Sequence, residues 1–372
     1  MRVVLAADFP VNSLPGFGSV PAGHHATWLT PLAQELSAVP GFDFHWITCT
    51  KLVSEYREIR HLNQTFHLLP RGKLSIEILT RFRRERRLIA ALAAKLQPAL
   101  FHGWGTEQGY ALAANDFQGK SLISLQGILT AYCAASLMPL LTRIQAATEK
   151  AVLAKAKHLT VESPWGADHL RKLAPTASID LLEYGADPAC FGIERAPSDK
   201  PAAVFLGSLT RLKGVDTLLT AFSDPRLSGV DLHIYGAGEK RFTASNRPPN
   251  IHFHSHRPRA EVLQALSRAW CLVHPTRADT SPNTVKEARV IGLPVVTTPE
   301  GGQTQYVTHG ISGFIHPSGD TEALIQGVLA ATANRETSLR FGATDQEKCR
   351  QLLTPARTAE RLIEIYQPGI RS

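Results

Sequence analysis

The sequence predicts an α/β protein built from two Rossmann-like, doubly wound domains, and three observations carry that expectation. At 372 residues the chain is long for one hydrophobic core and suits two. Short apolar strands alternate with helical stretches along both halves, the pattern of parallel sheets covered by helices. Between the halves, at Glu194–Pro201, the composition turns to Pro, Lys and Asp, as at a domain boundary.

The elements follow from apolar runs of strand length bounded by turn residues, and from apolar positions at helical spacing. Val3–Ala7 is the first strand and runs into the Asp8-Phe9-Pro10 loop. Thr27–Leu36 reads as a helix, Phe44–Thr48 as a strand, and Arg86–Leu96 as a helix. Ala99–His102 and Ser121–Leu125 are strands, Arg143–Ala156 a helix, and His158–Glu162 a strand. The second half repeats this style with strands at Ala202–Leu206, Asp231–Tyr235, Ile251–Phe253, Cys271–His274 and Pro294–Thr297, and Pro355–Tyr366 is a last helix.

Bulk properties narrow the function classes. The five cysteines are scattered and lack CxxC spacing, so neither a disulfide framework nor a zinc site is indicated. No apolar run approaches the ~18 residues of a membrane span, and Val3–Ala7 is too short for a signal peptide. A cytoplasmic protein is expected. The net charge of +8 suits anionic partners. Nucleic acid is not expected among them, because no recognised nucleic-acid motif accompanies the charge. Part of the excess is local, in the run Arg81-Phe82-Arg83-Arg84-Glu85-Arg86-Arg87. That run reads as a solvated helix face or as a patch for peripheral contact with an anionic membrane.

The most telling stretch enters a helix near residue 280. The strand ending at His274 gives way to a polar loop, then Ser281 and Pro282, read as an N-cap and a first helical residue. Gly292 and Pro294 end the helix before the strand Val295-Val296-Thr297. Free amides of Ser281, Asn283, Thr284 and Val285, around Pro282, which itself has no N–H, favour an anion there together with the helix dipole, and these five residues are expected donor contacts. Asp279 and Glu287 bracket that entrance with seven residues between them, a carboxylate on each side for sugar hydroxyls.

This spacing, with Ala288 and Gly292-Leu293-Pro294-Val295-Val296 behind it, resembles the nucleotide-sugar site of the retaining GT-B glycosyltransferases, in particular glycosyltransferase family 4. The family's first acid is usually Glu, where this chain has Asp279. The resemblance implies two domains facing across a cleft: residues 1–194 on the acceptor side, 195–354 for the nucleotide sugar, and 355–372 crossing back to the first domain. It extends to Gly207-Ser208-Leu209-Thr210-Arg211-Leu212-Lys213-Gly214, where the family's Lys reaches the donor diphosphate. Many members carry Arg at the position of Ser208, so Arg211 is the other candidate cation. Gly236 and Gly238 resemble the family's second glycine turn, though turn geometry alone also explains such a pair. Gly301-Gly302 leads to Gln305, where the family usually has Glu.

The first half resembles the family less closely. Gly23, with His24 and His25 beside it, sits in a loop placed like the family's Gly-Gly loop at the cleft floor. His102 and Glu107 follow the segment after the family's His-x-His strand, and His102 reads equally as a core histidine. Gln126 stands where many members present a His to the transferring sugar. Gln accepts and donates hydrogen bonds but cannot titrate near neutral pH. His24, His102, Glu107 and Gln126 are the expected acceptor and sugar contacts.

The resemblance implies a retaining transferase that takes a sugar from a nucleotide-diphosphate donor to a glycan, lipid-linked or small-molecule acceptor. Lys213, Arg211, Asp279 and Glu287 would be its catalytic set. No cofactor is expected. No Asp-x-Asp pair occurs in the chain, so no metal is expected either. Two other readings stay open: a nucleotide-sugar epimerase or hydrolase on the same fold, and a non-catalytic sugar-nucleotide-binding subunit, which Ser208 and Gln126 make thinkable.

Overall fold

The computed structural model describes residues 1–18, 26–239, 242, 248–255 and 257–367. The chain divides into two compact units, Met1–Gly185 with Pro355–Ser372, and Ala186–Thr354.

The first unit begins with β1 (Arg2–Ala6), α1 (Leu29–Leu36) and β2 (Asp43–Thr50), then the hairpin of β3 (Arg57–His61) and β4 (Gln64–Pro70). Helices α2 (Leu74–Leu79) and α3 (Arg83–Leu96) lead to β5 (Leu100–Trp104), α4 (Gly109–Asp116) and β6 (Ser121–Leu125). After α5 (Leu129–Ala135) and α6 (Leu140–Leu153) come β7 (His158–Val161), α7 (Pro164–Leu173) and β8 (Ser178–Leu181). The eight strands lie in the order β3-β4-β2-β1-β5-β6-β7-β8, parallel except for the β3–β4 edge pair. Apolar clusters cover both faces: Val3, Leu5 and Trp46 belong to one, Val4, Ile47 and Phe101 to the other. Alternate residues of one buried strand thus feed opposite cores.

The second unit runs β9 (Ala202–Leu206), α8 (Val215–Phe222), β10 (Asp231–Tyr235), β11 (Ile251–Phe253), α9 (Arg259–Arg268) and β12 (Cys271–His274). It continues with α10 (Asn283–Ile291), β13 (Val295–Thr297), β14 (Gly313–Ile315), α11 (Thr321–Ala331), α12 (Arg335–Ala343) and α13 (Gln346–Leu352). Its sheet is parallel throughout, in the order β11-β10-β9-β12-β13-β14. From β9 the chain steps outward through β10 and β11, then returns to pair β12 on the other side of β9. The order reverses there, and ligands of such sheets bind at that crevice, outside the carboxyl ends of the strands.

The division falls earlier than the Glu194–Pro201 stretch. Ala186 N–H donates to the Leu353 carbonyl at 2.8 Å, and Cys190 is buried in the second unit's core with Leu293 and Leu353. These contacts tie the residues after Gly185 to the second sheet, and the polar stretch that follows is a surface segment leading into β9. The last helix, α14 (Pro355–Tyr366), belongs to the first unit, where it packs on α1. There Thr358 Oγ1 donates to the Glu183 carbonyl at 2.9 Å and Arg361 pairs with Asp180 at 2.9 Å. Among the described residues, no helix is long and apolar enough to cross a membrane.

Candidate active site

The reversal point of the second sheet gathers the charged residues of the sequence motifs. Lys213 stands on the turn after β9 and Asp279 on the loop after β12, and these strands are neighbours. Lys213 Nζ forms an ion pair with Asp279 Oδ2, and His274, the last residue of β12, places Nε2 3.3 Å from the same oxygen. Burial raises the Asp279 pKa, but Lys213 and His274 outweigh it and hold the carboxyl well below the usual carboxylate range. Burial in turn pushes the His274 ring down, so it stays neutral near pH 7, while Asp279 partly opposes that shift. The two residues expected to meet a diphosphate and a sugar separately are therefore each other's partners.

Close backbone approaches fix this geometry. Gly214 has φ +71°, and a Cβ there would stand 1.8 Å from the Pro275 carbonyl oxygen, so only glycine lets the β9 turn nest against the β12 loop. Gly236 and Gly238 answer to the same constraint, because Leu209 N–H donates to Ala237 O and Glu239 N–H to Leu209 O, both at 3.0 Å. A Cβ on Gly238 would lie 2.4 Å from the Leu209 oxygen. Backbone packing between the two glycine turns accounts for this pair, with Gly207 and the exposed Ser208 on the facing segment.

Helix α10 starts one step later than Ser281 and Pro282 suggest. Val285 and Lys286 N–H both donate to the Pro282 carbonyl, at 3.0 and 3.2 Å, which makes extended Pro282 the cap rather than the first helical residue. The Ser281 hydroxyl is engaged with Tyr306 at 3.1 Å instead of capping the helix. Asn283 and Thr284 open the helix, and the buried Thr284 Oγ1 has no hydrogen-bond partner among the described residues. Gly292, at φ +86°, closes it as expected.

Glu287 lies buried on this helix, gripped by Arg259 from the start of α9. Arg259 Nη2 is 2.8 Å from Oε1 and Nη1 donates to Oε2 at 3.1 Å, while Nε reaches Asp187 at 2.8 Å. Burial raises the Glu287 pKa and Arg259 opposes the rise. Arg211 joins neither pair. Its guanidinium lies 3.7 Å from Asp216, a carboxylate that Arg277 already holds at 2.7 and 3.0 Å. Local sequence patterns do not reveal Arg259, because its partners come from positions far off in the chain. His274 is more accessible to such reading, as a histidine ending a strand five residues before an acid.

In the first unit the expected contacts separate. Gly23 and His24 lie outside the described residues. His102 is fully buried, with Nδ1 2.7 Å from Tyr366 Oη and Nε2 2.7 Å from Ser124 Oγ. Burial pushes its pKa down to about 3. Both ring nitrogens are spent on the core, so His102 is a core histidine and the expected sugar contact is corrected. Glu107 and Gln126 stay together at the carboxyl ends of β5 and β6, both half-buried. A Cβ on Gly127 would lie 3.1 Å from Glu107 Oε1, so the turn after Gln126 abuts that carboxylate. Burial, with Glu149 and Asp8 adding to it, raises the Glu107 pKa to about 7.

Of the residues that could ligate a metal, no group of three or more His, Cys, Asp or Glu converges among the described residues. Asp279 and Glu287 are each paired with a cation of the protein itself, Lys213 and Arg259.

The model of the family described as glycosyl transferases group 1 matches residues 189–348, nearly the whole second unit. The alpha-maltose-1-phosphate synthase of Mycobacterium tuberculosis is 29% identical over 212 residues, covering 52% of each chain. This chain thus spans about half the length of that curated relative. Among solved structures, sucrose-phosphate synthase from Thermosynechococcus elongatus superposes with a TM-score of 0.78 at 18% identity, over 98% of both chains. Anabaena HepE in complex with UDP-glucose superposes with a TM-score of 0.70 at 14% identity, over 99% of this chain and 100% of that one. Over residues 189–348 the chain is similar to the glycosyl transferases group 1, and its fold is that of the GT-B glycosyltransferases.

Proposed function

We propose that this protein transfers a sugar, with retention of anomeric configuration and without a metal, from a nucleotide-diphosphate sugar to a glycan, lipid-linked or small-molecule acceptor. The observation that carries the reading is the Lys213–Asp279 pair at the reversal point of the second sheet, on the loop that enters α10, with Glu287 inside that helix. Departure of a nucleoside diphosphate concentrates negative charge on the bridging oxygen. Lys213 and the opening amides of α10 supply positive charge for it, and one such preorganised donor is worth roughly 3–4 kcal/mol of barrier. As the diphosphate takes over Lys213, Asp279 Oδ2 becomes free to accept from sugar hydroxyls. Glu287, aimed by Arg259, accepts from the ribose diol. The departing phosphate takes the acceptor's proton, so no carboxylate pair at glycosidase spacing is needed. Arg211 is a secondary cation in this scheme, because its present partner is Asp216.

A lipid-linked acceptor and a peripheral seat on an anionic leaflet through Arg81–Arg87 belong to the same reading. A thermal-shift screen of nucleotide sugars tests it, and the HepE complex with UDP-glucose makes uridine donors the first choice. A donor at 100-fold above its dissociation constant adds about 2.7 kcal/mol of stability. Stabilisation followed by sugar transfer supports the proposal, and donor binding with no transfer to any acceptor class selects the non-catalytic subunit. Isomerised or hydrolysed donor in the absence of acceptor selects the epimerase or hydrolase.

A further inference from the structure

The basic run at the start of α3 has an apolar companion that its sequence does not announce. Leu137 is 89% exposed and Leu140 68% exposed at the entry to α6, and Leu79 and Ile76 of α2 are 64% and 57% exposed. Leu74 and Leu141 are exposed beside them. These side chains share one corner of the first unit. Helix α2 packs on α6. Gln145 of α6 donates to the Glu107 carbonyl at 2.6 Å, just before α4, and a Cβ on Gly109 at the start of α4 would lie 3.0 Å from Phe82 and 3.2 Å from Glu85 Oε2. The first half of α6 therefore runs alongside the α2–α3 corner.

The charges at this corner are sorted by sign. Lys73, Arg81, Arg83, Arg84, Arg87 and Arg143 are exposed. The acids of the same helices all turn inward. Glu85 is buried against Arg71 at 3.0 Å, Glu77 is buried, and Glu149 is buried, accepting from Thr130 N and Oγ1 at 2.8 and 2.7 Å. Arg86 is neutralised by Asp116 at 2.5 Å. The corner thus shows solvent leucines, an isoleucine and cations, with no exposed carboxylate on α2, α3 or α6.

We propose that this corner is a membrane-docking surface, in which the leucines and Ile76 enter the interfacial region of an anionic bilayer while the arginines engage its headgroups. Exposed apolar side chains ringed by cations match a surface that is negative outside and apolar beneath. A second copy of the chain is the poorer occupant, since it would set one row of arginines against another. The proposal deepens the peripheral-membrane part of the function above and rests on that part alone. Vesicle binding is measured without nucleotide sugar, so its failure is separable from failure of the donor site.

The test is co-sedimentation of the full chain with phosphatidylcholine vesicles with and without phosphatidylglycerol, at low and high salt. The wild type is expected to bind only the anionic vesicles and to be released by salt. Leu137→Ser with Leu140→Ser, both too exposed to unsettle the core, should weaken binding about tenfold per residue. Replacing Arg81, Arg83 and Arg84 with Gln should weaken it about fivefold per residue. Nucleotide-sugar binding, followed by thermal shift, should be unchanged in both variants and serves as the check on folding. Three results would overturn the proposal: indifference of the wild type to anionic vesicles at low salt, binding untouched by the leucine substitutions, or leucine variants that change only the oligomeric state or capture of a protein partner.

Discussion

Replacing Lys213 with Ala removes the cation that balances a buried carboxylate, and the structure sets the size of the effect. Deleting one partner of a fully buried pair costs about 3–5 kcal/mol, because the other charge is left uncompensated. Here the lysine side chain is 26% exposed and His274 keeps its place 3.3 Å from Asp279, so about 2 kcal/mol is expected. The Asp279 pKa is depressed in the folded protein, so its stabilisation is full above the unfolded value of ~3.9, declines below it, and is lost only as pH falls through the folded value, well below the usual carboxylate range. The cost of Lys213→Ala, measured by urea unfolding, should therefore be full at pH 7 and should shrink only in strong acid, as pH falls from ~3.9 toward the depressed folded value. Adding Asp279→Asn to Lys213→Ala should recover most of the loss at pH 7, since a neutral amide needs no counter-ion. Turnover should remain depressed in that repaired double variant, by roughly 10²–10³-fold if Lys213 acts on the departing diphosphate. A cost independent of pH, or strictly additive single and double variants, would refute the pair. Full turnover in Lys213→Ala would refute its catalytic role.

Three further outcomes follow from the same geometry. Glu287→Ala should weaken nucleoside-diphosphate binding by about 1.5–3 kcal/mol in calorimetry, the worth of hydrogen bonds to a charged acceptor, and undiminished affinity in a folded variant contradicts the ribose assignment. His102 is neutral when folded, with a pKa of about 3 against ~6.5 unfolded, so its contribution is intact above pH 6.5 and is lost as pH falls toward 3. His102→Gln should flatten the acid limb of the stability curve by up to about 1.4 kcal/mol per pH unit, and an unchanged limb contradicts a buried neutral ring. Transfer should persist after chelation with EDTA. Complete loss restored by magnesium or manganese overturns the metal-free part of the mechanism.

What the sequence made legible is what local pattern controls. The strands Ala202–Leu206 and Cys271–His274 stand where the apolar runs put them, because central parallel strands are buried on both faces, and the half-buried Asp231–Tyr235 and edge strand Ile251–Phe253 stand at the expected bounds as well. β3 escaped such reading because it is an edge strand carrying Arg57, Glu58 and Arg60, and β14 is three residues long and begins with glycine. At the site, the helix entrance and its bracketing acids were visible in their spacing. The partners of those acids were not. Arg259 grips Glu287 from α9 and Asp187 from the segment after the unit boundary, and His102 spends a nitrogen on Tyr366 at the far end of the chain. Contacts of that range are set by the folded sheet order and leave no local periodicity to read.

The central claim, transfer with retention from a nucleotide sugar, is met most directly by proton NMR of the product formed from the donor that stabilises the protein most. A new glycosidic linkage whose anomeric coupling matches that of the donor is expected, formed by the wild type and nearly abolished in Lys213→Ala. A product of inverted configuration, or free or isomerised sugar in place of a glycoside, would contradict it.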